Sequence, residues 1–199
     1  MLFIGAAAAG GIAAALIWPK HLPALELATG TLLTPSHALP DFSLIDSHGR
    51  SFGPENLRGH WTMMFFGYTN CPDFCPATLT TLAALQKRLR ADNSARPQVI
   101  FVSVDAKRDT PAQLARYVPY FDPDFIGLTA VDQPAIEAVA GKWGVPVMVH
   151  PEKDGNYTVD HSAAIFVLDP AGRLAAVLSG PFSVDALQSD FRRIVTPRA

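Results

Sequence analysis

Residues 62–76 have the sequence TMMFFGYTNCPDFCP, and this stretch decides the fold. Its first part, Thr62 to Phe66, is a short apolar run of the kind that forms a central strand covered on both faces. A helix is predicted after Pro76, because leucines recur along one side of the next segment and cations cluster near its end. Cys71 and Cys75, the only cysteines of the chain, therefore lie where a buried strand passes into a helix.

Capping and turn signals divide the rest of the chain into further elements. Thr110-Pro111-Ala112-Gln113 has the pattern of a capping box with proline at the first helical position. Asp132 and Ser183 are candidate caps of two more helices. Asp169-Pro170-Ala171-Gly172 is a turn that joins two apolar strands into a hairpin. The predicted strands are 42–46, 62–66, 99–104, 145–150, 163–168 and 174–178.

The order of these elements indicates the fold class. Parallel strand–helix–strand connections come first, and an antiparallel hairpin and a last helix follow. This order predicts a mixed sheet with helices on both of its faces. We therefore expect an α/β protein with a three-layer α/β/α sandwich, as in thioredoxin-like folds.

The N-terminal segment, residues 1–18, is apolar and carries no charge. A helix of this length rises ~27 Å, close to the ~30 Å thickness of a bilayer's hydrocarbon layer. A buried core helix fits poorly because the segment has no polar face, and a cleaved signal peptide would need a basic start and a cleavage site. We expect an uncleaved membrane anchor at residues 1–18, a tether at residues 19–40 and one domain at residues 41–199.

The composition gives no reason to expect nucleic acid as a partner. The formal net charge is -2 over 199 residues, so no strong field of either sign would steer a charged polymer to the surface. Charged residues make up only 17% of the chain, which agrees with a long apolar segment at its start.

The spacing of Cys71 and Cys75 allows several kinds of chemistry. Three residues separate them, so they do not form the C-x-x-C motif of redox enzymes, but they share one side of a helical turn. The start of a helix favours thiolates, which are the forms that bind metals and react with oxidants. A structural disulfide would close a loop of only a few residues and would stabilise little. Two unpaired structural cysteines are disfavoured by the neighbouring prolines and aspartate.

A metal site built on two cysteines needs a further ligand. His161 is one candidate, because it directly precedes the apolar strand at 163–168, at an edge where loops of an α/β sheet converge. On its own a histidine in this position is more often structural than a ligand, so the residues alone leave the question open. The other histidines lie in the tether, in turns or before other strands: His21, His37, His48, His60 and His150.

Three motifs in order resemble the Sco/SenC family. They are FFGYTNCPDFCP at 65–76, VSVD with RDTP at 102–111, and YTVDHS at 157–162. The family consists of membrane-tethered, thioredoxin-like copper proteins that help to assemble the binuclear copper centre of cytochrome c oxidase. The resemblance covers about residues 40–195. Two features depart from the family pattern. The family often has histidine at the position of Asn70, and the N-terminus is unlike the basic-flanked anchor that is usual in the family.

The resemblance implies that Cys71, Cys75 and His161 are the ligands of copper, as Cu(I) or Cu(II). It further implies that Asp73 and Asp160 support the site or contact a partner. The chemistry agrees, because two thiolates and one imidazole suit Cu(I), whereas structural zinc prefers a fourth protein ligand.

Two functions follow from this site. The first is a copper chaperone, not an enzyme, that passes copper to the copper-receiving subunit of cytochrome c oxidase through the loops around the cysteines. It would be held in the inner membrane with its domain facing the periplasm, and other copper chaperones or thiol reductants are further candidate partners.

The second function is that of a thiol–disulfide oxidoreductase or thiol peroxidase. The cysteine spacing argues against it, as does the lack of proline before Ala163. A copper-dependent redox sensor would use the same site and differ only in its partner.

Overall fold

The computed structural model describes residues 26–152 and 155–196. In chain order its strands are β1 (Gly30–His37), β2 (Leu44–Asp46), β3 (Ser51–Phe52), β4 (Thr62–Gly67), β5 (Gln98–Ser103), β6 (Ile126–Thr129), β7 (Met148–Pro151), β8 (Tyr157–Asp160), β9 (Ile165–Leu168) and β10 (Leu174–Leu178). The helices are α1 (Phe74–Ala91), α2 (Pro111–Tyr117), α3 (Gln133–Lys142) and α4 (Val184–Val195). Eight strands form one mixed sheet in the order β1-β10-β9-β4-β5-β6-β2-β3, and β7 pairs only with β8.

Strand β4 lies in the middle of the sheet, as its apolar sequence predicts. All six of its residues are buried, and it pairs with β5 in parallel and with β9 in antiparallel orientation. Successive side chains of a strand point to opposite faces. Met63 and Phe65 thus enter the core under α1 and α4, while Met64 and Phe66 enter the core on the side of α3. The predicted α/β sandwich with a mixed sheet is confirmed.

The helix caps follow the sequence signals. The side chains of Thr110, Asp132 and Ser183 each accept a hydrogen bond from the backbone N–H three residues later. Helix α1 begins at Phe74, before Pro76, whereas the sequence indicated a start after Pro76. Pro76 is tolerated there because an N–H in the first turn of a helix has no partner within the helix.

The N-terminal part of the chain differs from the expected tether. Residues 30–37, within the predicted tether of 19–40, form β1, which pairs with the outer edge of β10. Its half-exposed sequence GTLLTPSH lacks a clean alternation, so the pairing depends on the free edge of β10. The predicted anchor at 1–18 lies outside the described residues. Within 26–152 and 155–196, no helix is long and apolar enough to cross a membrane.

Two further strands also depend on the tertiary structure: β6, which the sequence analysis did not predict, and the predicted strand at 145–150. The short β6 has only four residues, IGLT, too few to show a period, yet it continues the parallel run beside β5. The predicted strand at 145–150 is shifted to Met148–Pro151, and all four of its residues are exposed. It lies outside the main sheet because its hydrogen-bonding partner is β8.

One edge of the sheet gathers the ends of several elements. Strands β4 and β5 are parallel and both finish there, while the antiparallel β9 starts there. Gly30 pairs with Leu178, and Leu178 pairs with Ile165, so β1 also enters the sheet at this edge. The cysteine loop, the turn after β5 and His161 are therefore brought to one place.

Candidate metal centre

Three side chains converge at this edge of the sheet. The ligand atoms of Cys71, Cys75 and His161 all lie within 4.8 Å of one another. Cys75 Sγ is 3.6 Å from His161 Nε2, although 86 positions separate the two residues. Neither cysteine forms a disulfide. In the part of the chain that the structure describes, no other group of three His, Cys, Asp or Glu side chains meets in this way.

The start of α1 places the two sulfurs. Cys71 lies in the loop after β4, and its N–H donates to the carbonyl oxygen of Tyr68. Cys75 is the second residue of the helix, so its own N–H has no partner within the helix and donates to Cys71 Sγ at 3.4 Å. The partly exposed sulfur of Cys71 thus lies over the helix N-terminus, while Cys75 is buried beneath it.

The two thiols differ strongly in acidity. A hydrogen bond from the Cys75 side chain lowers the pKa of Cys71 to about 4, with help from His161 and from the N–H groups of Cys75 and Asp73. The same bond to Cys71, together with burial, raises the pKa of Cys75. At neutral pH the pair therefore holds one proton, as a Cys71 thiolate and a Cys75 thiol. A metal ion that binds both sulfurs must displace that proton.

The imidazole of His161 turns its Nε2 toward the sulfurs. Its Nδ1 lies 2.9 Å from the carbonyl oxygen of Ser162, which can only accept, so Nδ1 carries the proton. In the neutral ring Nε2 is then the nitrogen whose lone pair can bind a metal, and the bond to the carbonyl fixes the ring. The edges and faces of Phe65 and Tyr68 surround the imidazole, with ring centroids 6.1 and 5.8 Å away.

Gly67 makes room for the site, and the sequence reasoning missed it. A Cβ at this last residue of β4 would lie 2.9 Å from Cys75 Sγ and 2.6 Å from a ring carbon of Phe101. Both distances are shorter than real Cβ contacts, so only glycine fits without a shift of these buried groups. The position of Gly67 just before the cysteine loop was the one available signal.

The other residues named from the sequence lie around the site without joining the ligand group. Asp73 is exposed and precedes α1, and its side chain makes no capping bond. Asp160 is exposed and lies 2.7 Å from His150 Nε2. Asn70 is exposed as well. The side chain next to the buried sulfur, Phe74, is 39% exposed, which is high for a large apolar residue.

The donor set fits a soft metal ion with few ligands. Two sulfurs and one imidazole nitrogen favour copper, and Cu(I) accepts such a low number of ligands. A structural zinc site would have a fourth protein ligand, and none of the described His, Cys, Asp or Glu side chains supplies one.

Comparison with known proteins supports the same metal. A family model described as SCO1/SenC matches residues 31–196. The mitochondrial protein SCO2 homolog of Bos taurus is 38% identical over 155 residues, which are 77% of this chain but only 58% of the bovine protein. The chain thus spans less than two thirds of that relative.

Two solved structures share the fold and contain copper. The structure of Arabidopsis thaliana ScoI with copper bound has a TM-score of 0.75 at 35% identity, over 78% of this chain and 96% of that one. The structure of Bradyrhizobium japonicum ScoI with copper bound has a TM-score of 0.70 at 34% identity, over 79% and 100% of the two chains. Copper is the metal that the sequence analysis expected.

Proposed function

Because this chain belongs to the SCO1/SenC family, we propose that it is a copper chaperone that binds copper through Cys71, Cys75 and His161. The observation that carries the proposal is the convergence of these three ligand atoms within 4.8 Å. The confirmed family and the copper in the solved relatives support the choice of metal.

Copper would bind to the three side chains in successive steps. The Cys71 thiolate is the first nucleophile, since it is ionised at neutral pH and partly exposed. The buried Cys75 then loses its proton as the second sulfur joins. His161 completes the set through Nε2. Two thiolates neutralise Cu(II) and leave one negative charge with Cu(I), so the charge of the site depends on the oxidation state of the metal.

We propose that the recipient is the copper-receiving subunit of cytochrome c oxidase. The exposed ring of Phe74 and the open side of Cys71 offer a surface through which an incoming ligand could replace one sulfur at a time. Anchoring of residues 1–18 in the inner membrane, with the domain in the periplasm, belongs to the same proposal. It would keep the chaperone near a membrane-bound recipient.

A thiol–disulfide oxidoreductase is the second candidate, and the acidity of Cys71 favours it. A thiolate with a neighbouring thiol can attack a disulfide and then resolve the mixed disulfide internally. The C-x-x-x-C spacing and the imidazole beside the sulfurs favour a metal carrier instead.

Replacement of His161 separates the two functions. In reduced protein, copper stoichiometry and X-ray absorption should report one copper with two sulfur ligands and one nitrogen ligand. His161→Ala should lose the nitrogen ligand and copper delivery, while a reductase should keep disulfide exchange. If reduced wild-type protein takes up no copper yet turns over disulfides rapidly, the chaperone proposal is wrong.

A further inference from the structure

A turn after β5 contains two buried carboxylates that the copper ligands do not explain. This segment, residues 105–109, is called the bridging turn below. It contains part of the second sequence motif, to which the sequence analysis gave no role. Asp105 is 1% exposed and Asp109 is fully buried. Ionisable side chains are rarely buried unless they are paired, so their partners matter.

Asp109 holds the cysteine loop. Its Oδ2 accepts a hydrogen bond from the N–H of Thr69 at 2.8 Å, and its Oδ1 accepts from the Thr69 hydroxyl at 2.6 Å. The hydroxyl of Ser103, the last residue of β5, donates to Oδ2 at 2.6 Å. Since Thr69 is two residues before Cys71, one end of the bridging turn fixes the loop that carries the sulfurs.

Arg108 and Asp105 hold the strand that leads to His161. The guanidinium of Arg108 lies over the ring of Tyr157, 3.6 Å from its centroid, and Nη1 donates to the Tyr157 carbonyl oxygen at 3.0 Å. Nη1 also lies 3.2 Å from Oδ1 of Asn156. The Tyr157 hydroxyl donates to Asp105 Oδ1 at 2.8 Å, and Asp105 forms an ion pair with Arg108.

This contact matters because the main sheet holds the histidine from one side only, where β9 begins four residues later at Ile165. Strand β8 ends at Asp160, immediately before His161, and β8 pairs only with the exposed β7. Val159 is the one buried residue of β8. The contacts of Arg108 with Tyr157 therefore supply much of what positions β8. Arg108 also lies 5.7 Å from the ring centroid of Tyr68, whose ring packs against His161.

We propose that Arg108 is a positioning residue, and that the bridging turn sets the distance between the imidazole of His161 and the two sulfurs. The inference rests on the proposed copper site. A loosened β8 would let His161 leave, so that the metal is held by two thiolates alone. Cu(I) tolerates that arrangement, whereas Cu(II) needs more ligands, so the bridging turn makes the site competent for the oxidised metal.

The test compares two oxidation states in Arg108→Met, which keeps an apolar stem without charge or hydrogen bonds. Affinities for Cu(I) and Cu(II) are measured by competition with chelators, and nitrogen coupling is measured by electron paramagnetic resonance of the Cu(II) form. We expect a loss of about 10-fold or more in Cu(II) affinity, in the range of changes to groups that orient ligands. Cu(I) affinity should change less than about 3-fold, and nitrogen coupling should weaken. Arg108→Lys should fall between the two because it restores charge without the planar fork.

Three comparisons separate positioning from general stability. Arg116→Met removes an exposed arginine whose side chain donates to Gln113, and it should leave both affinities unchanged. In a His161→Ala background, Arg108→Met should lower Cu(II) affinity no further, because its effect passes through the imidazole. Tyr157→Leu removes the stacking from the other side and should reproduce the phenotype if Arg108→Met does not fold.

The outcomes distinguish this inference from the proposed function. If wild-type protein binds copper with two sulfurs and one nitrogen, and the Arg108 and Tyr157 variants bind both oxidation states normally, only the inference is wrong. Equal losses for Cu(I) and Cu(II) would also overturn it. If the wild-type protein binds no copper, the proposed function fails and the inference fails with it.

Discussion

The backbone N–H of Cys75 donates to the sulfur of Cys71 across 3.4 Å. This contact is one of several that make the two cysteines unequal. The Cys75 side chain is the strongest donor to the Cys71 sulfur, and the N–H groups of the helix N-terminus add to it. The sulfur inside the helix is buried and keeps its proton. The two cysteines look alike in the sequence, but in the structure Cys71 is an outer thiolate and Cys75 is an inner thiol.

This inequality predicts selective alkylation. Cys71 should be ionised above a pH of about 4, so iodoacetamide should modify it at a nearly constant rate between about pH 6 and about pH 8, where the thiolate fraction no longer changes. Cys75 should stay unmodified because its pKa is raised and its side chain is buried. Mass spectrometry of peptides after timed alkylation checks both statements.

The control is Cys75→Ala, which removes the strongest donor to the Cys71 sulfur. The pKa of Cys71 should rise, so its alkylation should become slower at the acidic end of the range. Equal rates for wild type and Cys75→Ala at every pH would show that the hydrogen bond does not set the acidity.

Gly67→Ala should disturb the site from the core. The new methyl group would press on Cys75 Sγ and on the Phe101 ring, and overpacking of this kind costs about 1–3 kcal/mol in the free energy of unfolding. Copper affinity should fall as well, because the inner sulfur must move. Urea denaturation and Cu(I) competition measure the two effects.

Gly141→Ala is the matched control for that substitution. Gly141 lies in α3 with open space where the methyl group of alanine would stand, so the substitution should stabilise the helix by roughly 0.5–1 kcal/mol. Unchanged copper affinity in Gly141→Ala and in Gly67→Ala alike would contradict the role assigned to Gly67.

Asp190→Ala should release the start of β1. The carboxylate is 1% exposed and accepts from Ala28 N at 2.7 Å, from Thr29 N at 2.8 Å and from the Thr29 hydroxyl. Loss of such charged hydrogen bonds should cost about 2–4 kcal/mol in the free energy of unfolding. Hydrogen exchange of residues 30–37 should accelerate.

Asp185→Ala provides the comparison on the same helix. Its side chain is 87% exposed and pairs with Arg88, so its removal should change stability by less than about 1 kcal/mol. A similar cost for both aspartates would mean that Asp190 does not hold the chain at its entry to the sheet.

Asp109→Asn should show a pH-dependent effect on stability. Burial raises the pKa of Asp109 above its value in the unfolded chain, so the folded state takes up its proton more readily. The stability linked to this group is present below the unfolded pKa and is lost as the pH rises through the folded one. The stability of wild type relative to Asp109→Asn should therefore grow as the pH falls from about 7 toward about 4. Urea unfolding of both proteins at several pH values measures the trend, and a flat or reversed difference would contradict it.

Local signals predicted the parts of the fold that local physics determines. The apolar run at β4, the caps at Thr110, Asp132 and Ser183, and the turn at Asp169–Gly172 were all found from the sequence. Strand β1 could not be found in this way, because its place depends on a free strand edge more than a hundred residues later in the chain.

The candidate metal site was likewise predicted in part from local sequence signals and depended in part on the tertiary structure. Cys71 and Cys75 were visible as a pair, but the approach of His161 became an expectation only through the family resemblance. The roles of Gly67, Asp109 and Arg108 depend on contacts across the sheet edge, and no spacing of residues in the sequence predicts these contacts. Residues that shape a site from a neighbouring strand are recognised only when that strand is in place.

Strand β1 enters the sheet at the same edge as the candidate metal site, and this bears on where the site would lie relative to a membrane. Gly30, Leu178, Ile165 and Phe65 stand side by side on adjacent strands, so the incoming chain lies about 15 Å across the sheet from β4, the strand that leads into the cysteine loop. For a domain tethered through residues 1–18 as proposed, residues 19–25 could span at most roughly 25 Å, since Asp190 holds the chain from Ala28 onward. The bound copper would then stay within a thin layer above the lipid surface, and a recipient would have to open its own site within that layer.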